Sequence, residues 1–155
     1  MSPNTAQSLI TLYHLIHIPV TLLIDSSVII PKQYHLNLTN ILVNLHVSQN
    51  KDILLLYPQT WFKTFIFIEC IFQLPLFIYF VWKHNKREFD TRYHAWSLIY
   101  GFNASFTTFV CMMHIIFEGS LFGLLELEIV KLVGIYSPYL IIPFIILVRS
   151  LHHLR

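Results

Sequence analysis

Charge is what this chain has least of. Its 155 residues hold 10 Lys plus Arg and 8 Asp plus Glu, 12% in all, against 55% hydrophobic side chains. A soluble chain carries about 25% charge and about 45–50% apolar residues. A polar exterior cannot be assembled from so small a supply. A disordered chain is excluded, and so is a nucleic-acid binder, because the net charge is only +2 and no basic cluster is large. A soluble enzyme is disfavoured. Glycine is scarce too, at four residues, which leaves no phosphate-cradling loop and no nucleophile elbow. The two cysteines, Cys70 and Cys111, fall inside apolar runs and form no Cys-x-x-Cys pattern. Buried free thiols are the commoner state for such a pair and a disulfide between helices is the alternative; neither cysteine belongs to a zinc or redox motif. No Lys or Arg precedes Lys32, so the basic start of a cleavable signal peptide is missing and the first apolar run is expected to stay in the bilayer.

The charges that are present are placed in order. From Met1 to Ile30 the single charge is Asp25, from Thr64 to Trp82 it is Glu69, and Tyr93–Phe117 and Leu132–Val148 have none. A helix needs about 20 apolar residues to cross roughly 30 Å of hydrocarbon. The pattern predicts an all-α membrane protein, a four-helix bundle in a single domain over residues 1–155, with spans near 9–30, 61–82, 95–117 and 129–149. An even number of spans puts both termini on one side. That side holds six basic residues (Lys83, Lys86, Arg87, Arg92, Arg149, Arg155) against four on the other, which favours cytosolic termini. Between the first two spans, Leu38, Ile41, Leu42 and Leu45 recur at helical spacing. They predict a short amphipathic helix on the lumenal side. Asn37-Leu38-Thr39 is a glycosylation sequon, but its closeness to the first span argues against modification.

The two carboxylates inside spans are the informative residues. Asp25 falls about five residues, roughly 7 Å, before the lumenal end of the first span, and Glu69 about eight residues, roughly 12 Å, after the start of the second. Antiparallel neighbours bring them to similar depth. Two carboxylates in one low-dielectric pocket cannot both stay ionised cheaply, so the pair is expected to share a proton or attract a cation. Lys32 and Lys63 lie at membrane ends, too far to serve. The complement is a cationic amine, or a lipid hydroxyl bonded to the protonated acid. The alternative is a structural pair that only bridges two helices.

Neighbouring residues favour a cavity. His14, His17, Thr21 and Asp25 share one helical face, and Gln73 lies one turn from Glu69. Pro19, Pro75, Pro138 and Pro143 each remove a helix hydrogen bond and favour kinks. Trp61, Trp82 and Trp96 stand near span ends, as an interfacial belt requires. Phe62, Phe65, Phe72, Tyr136 and Tyr139 lie deeper, as core or pocket lining. His14-x-x-His17 could set two imidazoles on one face, but a third good ligand is uncertain and Pro19 follows closely, so neither a metal nor any other cofactor is expected.

Three segments carry a family resemblance: His17-Ile-Pro-Val-Thr-Leu-Leu-Ile-Asp25; Trp61-Phe-Lys-Thr-Phe-Ile-Phe-Ile-Glu69 with Phe72-Gln-Leu-Pro75; and Tyr136-Ser-Pro-Tyr-Leu-Ile-Ile-Pro-Phe144. Together they resemble the sigma-2 receptor family, part of the EXPERA group that includes the emopamil-binding sterol isomerases. The resemblance implies a homodimeric endoplasmic-reticulum protein with a pocket for sterols and cationic amphiphiles. It implies that Asp25 binds the ligand amine and Glu69 hydrogen-bonds Asp25. Asp52 would order a lumenal lid, and Thr107, Tyr136 and Tyr139 would line the pocket. Asn103 departs from the histidine expected near Tyr100, and the tail Arg149–Arg155 lacks a strongly basic end, so another internal membrane stays open. Three functions follow: a non-enzymatic binder of sterol or lipid that affects lipid homeostasis, a sterol double-bond isomerase, or a membrane adaptor handling mitochondrial precursor proteins.

Overall fold

The computed structural model describes the backbone of residues 3–155 and the side chains of residues 7–155. Among the described residues every element is helical. Four segments are long and apolar enough to cross a membrane: Gln7–Val28, Thr60–Lys86, Thr91–Phe122 and Glu126–Leu154. Each overlaps an expected span, and the differences have local causes.

Helix α1 (Pro3–Leu23) ends earlier than expected, and Asp25 opens a 3-10 turn, Asp25–Val28, rather than lying inside the helix. The hydroxyls of Ser26 and Ser27 donate back to the carbonyls of Leu22 (2.8 Å) and Ile24 (2.5 Å). Serines that compete for main-chain acceptors tighten and end a helix in this way. The loop then forms α2 (Asn37–Asn50) and the short α3 (Ile53–Leu56). Lys51, between them, adopts a left-handed φ of 51°. Leu38, Ile41 and Leu45 on α2 are exposed while Thr39 is buried. The apolar stripe of α2 therefore faces away from the bundle, where a bilayer surface would meet it. The Lys131 ammonium donates to the Gln49 carbonyl at 2.7 Å, and Lys51 pairs with Glu128 at 2.5 Å. These two contacts pin the loop to the last span.

The second span is interrupted. Helix α4 (Thr60–Ile68) passes through a π turn, Glu69–Gln73, into α5 (Leu74–Lys86). The Leu74 N–H reaches back five residues to the Glu69 carbonyl, and Pro75 beside it has no N–H to offer. A π turn inserts one extra residue and rotates what precedes it. Helix α6 (Thr91–Glu118) is started by Asp90, whose carboxylate accepts from the Tyr93 N–H at 2.7 Å. Helix α7 (Glu126–Leu154) completes the bundle.

Helices α6 and α7 pack along most of their lengths, and α1 packs on α5. Gly101 makes the first contact so close: a Cβ there would sit 2.7 Å from the Pro143 carbonyl oxygen and 2.8 Å from the Leu147 nitrogen. Pro143 leaves the Tyr139 carbonyl without its helical donor, and the Thr108 hydroxyl on α6 donates to it instead, at 3.3 Å. The interior is partly polar, with His14, Thr21 and Asp52 buried, while Phe102, Phe106, Phe117 and many leucines face outward. That inversion is what a lipid solvent demands.

Candidate functional site

A cavity of about 160 Å³ opens between α1, the π turn, α6 and α7, under the loop. Asp25, Glu69, Gln73, Thr107, Tyr136, Tyr139 and Phe65, the residues expected to bind ligand, all line it, and so does Asp52. Residues from α1, α2, α3, α4, α6 and α7 and from the 3-10 and π turns thus meet at one hollow.

Its polar end is built by α1, the 3-10 turn that follows it and the π turn. One donor atom each of His17, Asp25 and Glu69 lies within 4.8 Å of the others. A carboxyl oxygen of Asp25 thus stands within 4.8 Å of one of Glu69, and two carboxylates so close in a low-dielectric site favour holding one proton between them. Thr21 donates its hydroxyl to Glu69 Oε1 at 2.5 Å, and His17 Nε2 stands 3.8 Å from the same oxygen. Gln73 donates to Asn103 Oδ1 on α6 at 2.9 Å. Asn103, at the place where the resemblance expects histidine nearby, is thus the acceptor that fixes Gln73. Among the described residues, no Lys or Arg pairs with Asp25 or Glu69.

The other end is closed by Asp52. Its side chain is buried, caps α3 by accepting from the Leu54 N–H at 3.0 Å, and accepts from the Tyr136 hydroxyl at 2.9 Å. His46 on α2 lies 3.0 Å from the same carboxylate. One carboxylate therefore joins α2, α3 and α7. Thr107 turns its hydroxyl back to the Asn103 carbonyl at 3.0 Å. The Tyr139 ring meets the edge of His17 with centroids 4.9 Å apart, and Phe65 packs on Trp61 at 5.6 Å.

His17, which the sequence set on the face of Asp25 as a residue favouring a cavity, lines it; sequence reasoning did not place Tyr13, His46 or Thr108 there, though all three do. Tyr13 is held by a 3.3 Å hydrogen bond from Tyr100, and His46 by Asp52, contacts between segments that spacing along one helix does not reveal. Cys70 and Cys111 are both free thiols.

Comparison with known proteins bears on the family of the chain. Residues 38–150 match the family model described as EXPERA, the expanded EBP superfamily. The chain is 35% identical over 142 residues to "Efficient mitochondria targeting-associated protein 19" of Saccharomyces cerevisiae, covering 84% of this chain and 88% of that one. It is 34% identical over 156 residues to "Sigma intracellular receptor 2" of Homo sapiens, covering 92% and 85%. The receptor of the same name from Xenopus tropicalis is 29% identical over 147 residues, covering 90% and 84%. By the family match, the coverage and the four spanning helices, this chain belongs to the EXPERA superfamily and is a sigma-2-receptor-like multi-pass membrane protein.

Proposed function

We propose that the cavity binds a sterol or a cationic amphiphile and that the protein acts without catalysis, as a lipid-binding component of an internal membrane. The observation that carries this is the Asp25–Glu69 pair, with carboxyl oxygens within 4.8 Å of each other at the polar end of an aromatic-lined cavity and no Lys or Arg partner among the described residues. An ammonium group entering there displaces the shared proton and meets a carboxylate already desolvated. A sterol hydroxyl instead accepts or donates at the same pair, and the rings of Phe65, Tyr136 and Tyr139 pack on the remainder. In this reading the membrane is the endoplasmic reticulum, the termini are cytosolic, and two copies associate.

The test uses purified protein and a tritiated tertiary-amine amphiphile. Saturable binding that is lost in Asp25→Asn and weakened in Glu69→Gln supports the proposal. Binding that survives both substitutions overturns it. Mass spectrometry of lipids that co-purify with the wild type and not with Asp25→Asn would name the class.

Two other readings each have a supporting observation. Membership of a superfamily named for EBP, with an imidazole 3.8 Å from Glu69, supports a sterol isomerase. Turnover of an unsaturated sterol that Glu69→Gln abolishes would replace the binding reading. The name of the yeast relative supports an adaptor in mitochondrial targeting. Partner crosslinks and cellular phenotype retained in cavity variants would favour that reading.

A further inference from the structure

A line of polar side chains follows one face of α1 from Gln7 and continues into the 3-10 turn at Asp25. Gln7, Thr11, His14, His17, Thr21 and Asp25 are separated by four, three, three, four and four positions. At 1.5 Å per residue they extend about 27 Å, close to the roughly 30 Å of a hydrocarbon core. The face turns inward: Thr21 is 0%, His14 1% and His17 8% exposed. Leucines would fill that space at far lower desolvation cost.

Other helices extend the line sideways. Near the termini, His84 on α5 contacts the Thr11 hydroxyl, lies 2.9 Å from Gln7 Nε2 and is 2.7 Å from the Tyr93 hydroxyl of α6. In the middle, the His14 ring is 5.5 Å from Tyr100, 5.5 Å from Tyr13 and 6.1 Å from His84. Tyr100 donates to Tyr13 at 3.3 Å, and the Tyr13 ring lies 5.0 Å from His17. His17 then stands beside Glu69. Beyond the carboxyl pair, the cavity wall runs on to Asp52 and His46, and the His46 side chain is 25% exposed. Both ring nitrogens of His14 are buried without a hydrogen-bond partner. Its titratable neighbours are Tyr13 and His17 on α1, His84 on α5 and Tyr100 on α6, with Arg149 of α7 acting on His84 through its charge.

We propose that this column conducts protons across the bundle, between the acidic cavity and the end that carries both termini, with His14 as its central relay. A neutral imidazole accepts a proton on one nitrogen while releasing one from the other, and a ring flip restores the starting tautomer. No net charge stays on the ring, and no redox partner is needed. Rotation of His14 and the phenols spans the gaps between ring neighbours. The inference uses the positions of the groups and holds whatever molecule the cavity binds.

The experiment places full-length protein in phosphatidylcholine vesicles that enclose a pH-sensitive dye, with valinomycin and potassium clamping the potential. Wild-type vesicles should dissipate an imposed pH gradient faster than protein-free vesicles by an order of magnitude or more. His14→Phe, a ring suited to the company of Phe77 and Phe80, should return the rate to near the protein-free value. Tyr100→Phe should slow it while keeping ring packing. Wild-type vesicles no faster than empty ones overturn the proposal. So does a monodisperse His14→Phe protein at the wild-type rate, or Tyr100→Phe at that rate should His14→Phe not fold. Flux retained in a protein that binds no amphiphile would keep this inference and remove the binding function.

Discussion

Thr21 and Glu69, 48 residues apart in sequence, are joined by a 2.5 Å hydrogen bond from the α1 hydroxyl to the carboxyl of the π turn. That bond ties the carboxyl of Glu69 to α1 beside Asp25. Thr21→Val keeps the shape and deletes the donor. A hydrogen bond to a charged group contributes about 1.5–3 kcal/mol, so amphiphile affinity should fall by about tenfold to about a hundredfold. Thr21→Ser should restore most of it. Affinity unchanged in the valine variant would show that the hydroxyl has no part in orienting the pair.

Asp52 is buried and accepts from three segments, so it cannot be lost quietly. Asp52→Ala removes the cap of α3 and strands the Tyr136 hydroxyl, and it should lower stability in detergent by about 2–4 kcal/mol. Hydrogen exchange should quicken across Ile53–Leu56 before the spans loosen. Asp52→Asn keeps an acceptor and should cost less than half as much. Equal costs for the two variants would mean that the capping and tyrosine bonds are not what the side chain contributes.

Thr108 and Pro143 should be energetically coupled. Thr108→Val leaves the Tyr139 carbonyl without a donor and should cost about 1 kcal/mol. In a Pro143→Ala background the new N–H reaches that carbonyl, and the same change should cost almost nothing. A thermal-unfolding double-mutant cycle reads the difference directly. Additive effects would mean that the threonine is not repairing the proline's omission.

Asp90 gives a pH dependence outside the membrane. The Lys83 ammonium at 2.8 Å and the Tyr93 N–H hold its carboxyl below the usual carboxylate range. A folded-state value below the unfolded one contributes stability above the ordinary carboxylate value, about 3.9, and loses it as pH falls through the lowered value. Asp90→Asn should therefore lower the unfolding temperature at neutral pH, with the gap to wild type closing on strong acidification. A gap that stays constant down to acid pH would trace the effect to the N-cap geometry alone.

Much of this was readable from the residues because lipid imposes a simple rule on composition. The four spans follow from apolar length, and Asp25 and Glu69 stand out because each is alone in its run. Their meeting followed from depth along antiparallel helices. The π turn did not follow, because an extra residue in a helix is selected by what the rotated side chain touches, here Thr21 and Asp25. Nor did the early end of α1, which two serine hydroxyls decide by bonding to carbonyls one turn back. The role of Asp52 is legible only once α2, α3 and α7 are folded together, since its three partners come from all of them.

The outward display of leucine and phenylalanine has a consequence for cohesion. In water, apolar surface would drive helices together; in hydrocarbon it merely keeps each of them dissolved. What binds helix to helix here is then the tight crossing at Gly101 and the inward hydroxyls, imidazoles and carboxyls. The same few polar groups that form the cavity act as its mortar. A substitution there loosens the assembly while every helix stays in the bilayer, so loss of binding and loss of shape are separable events from loss of the membrane.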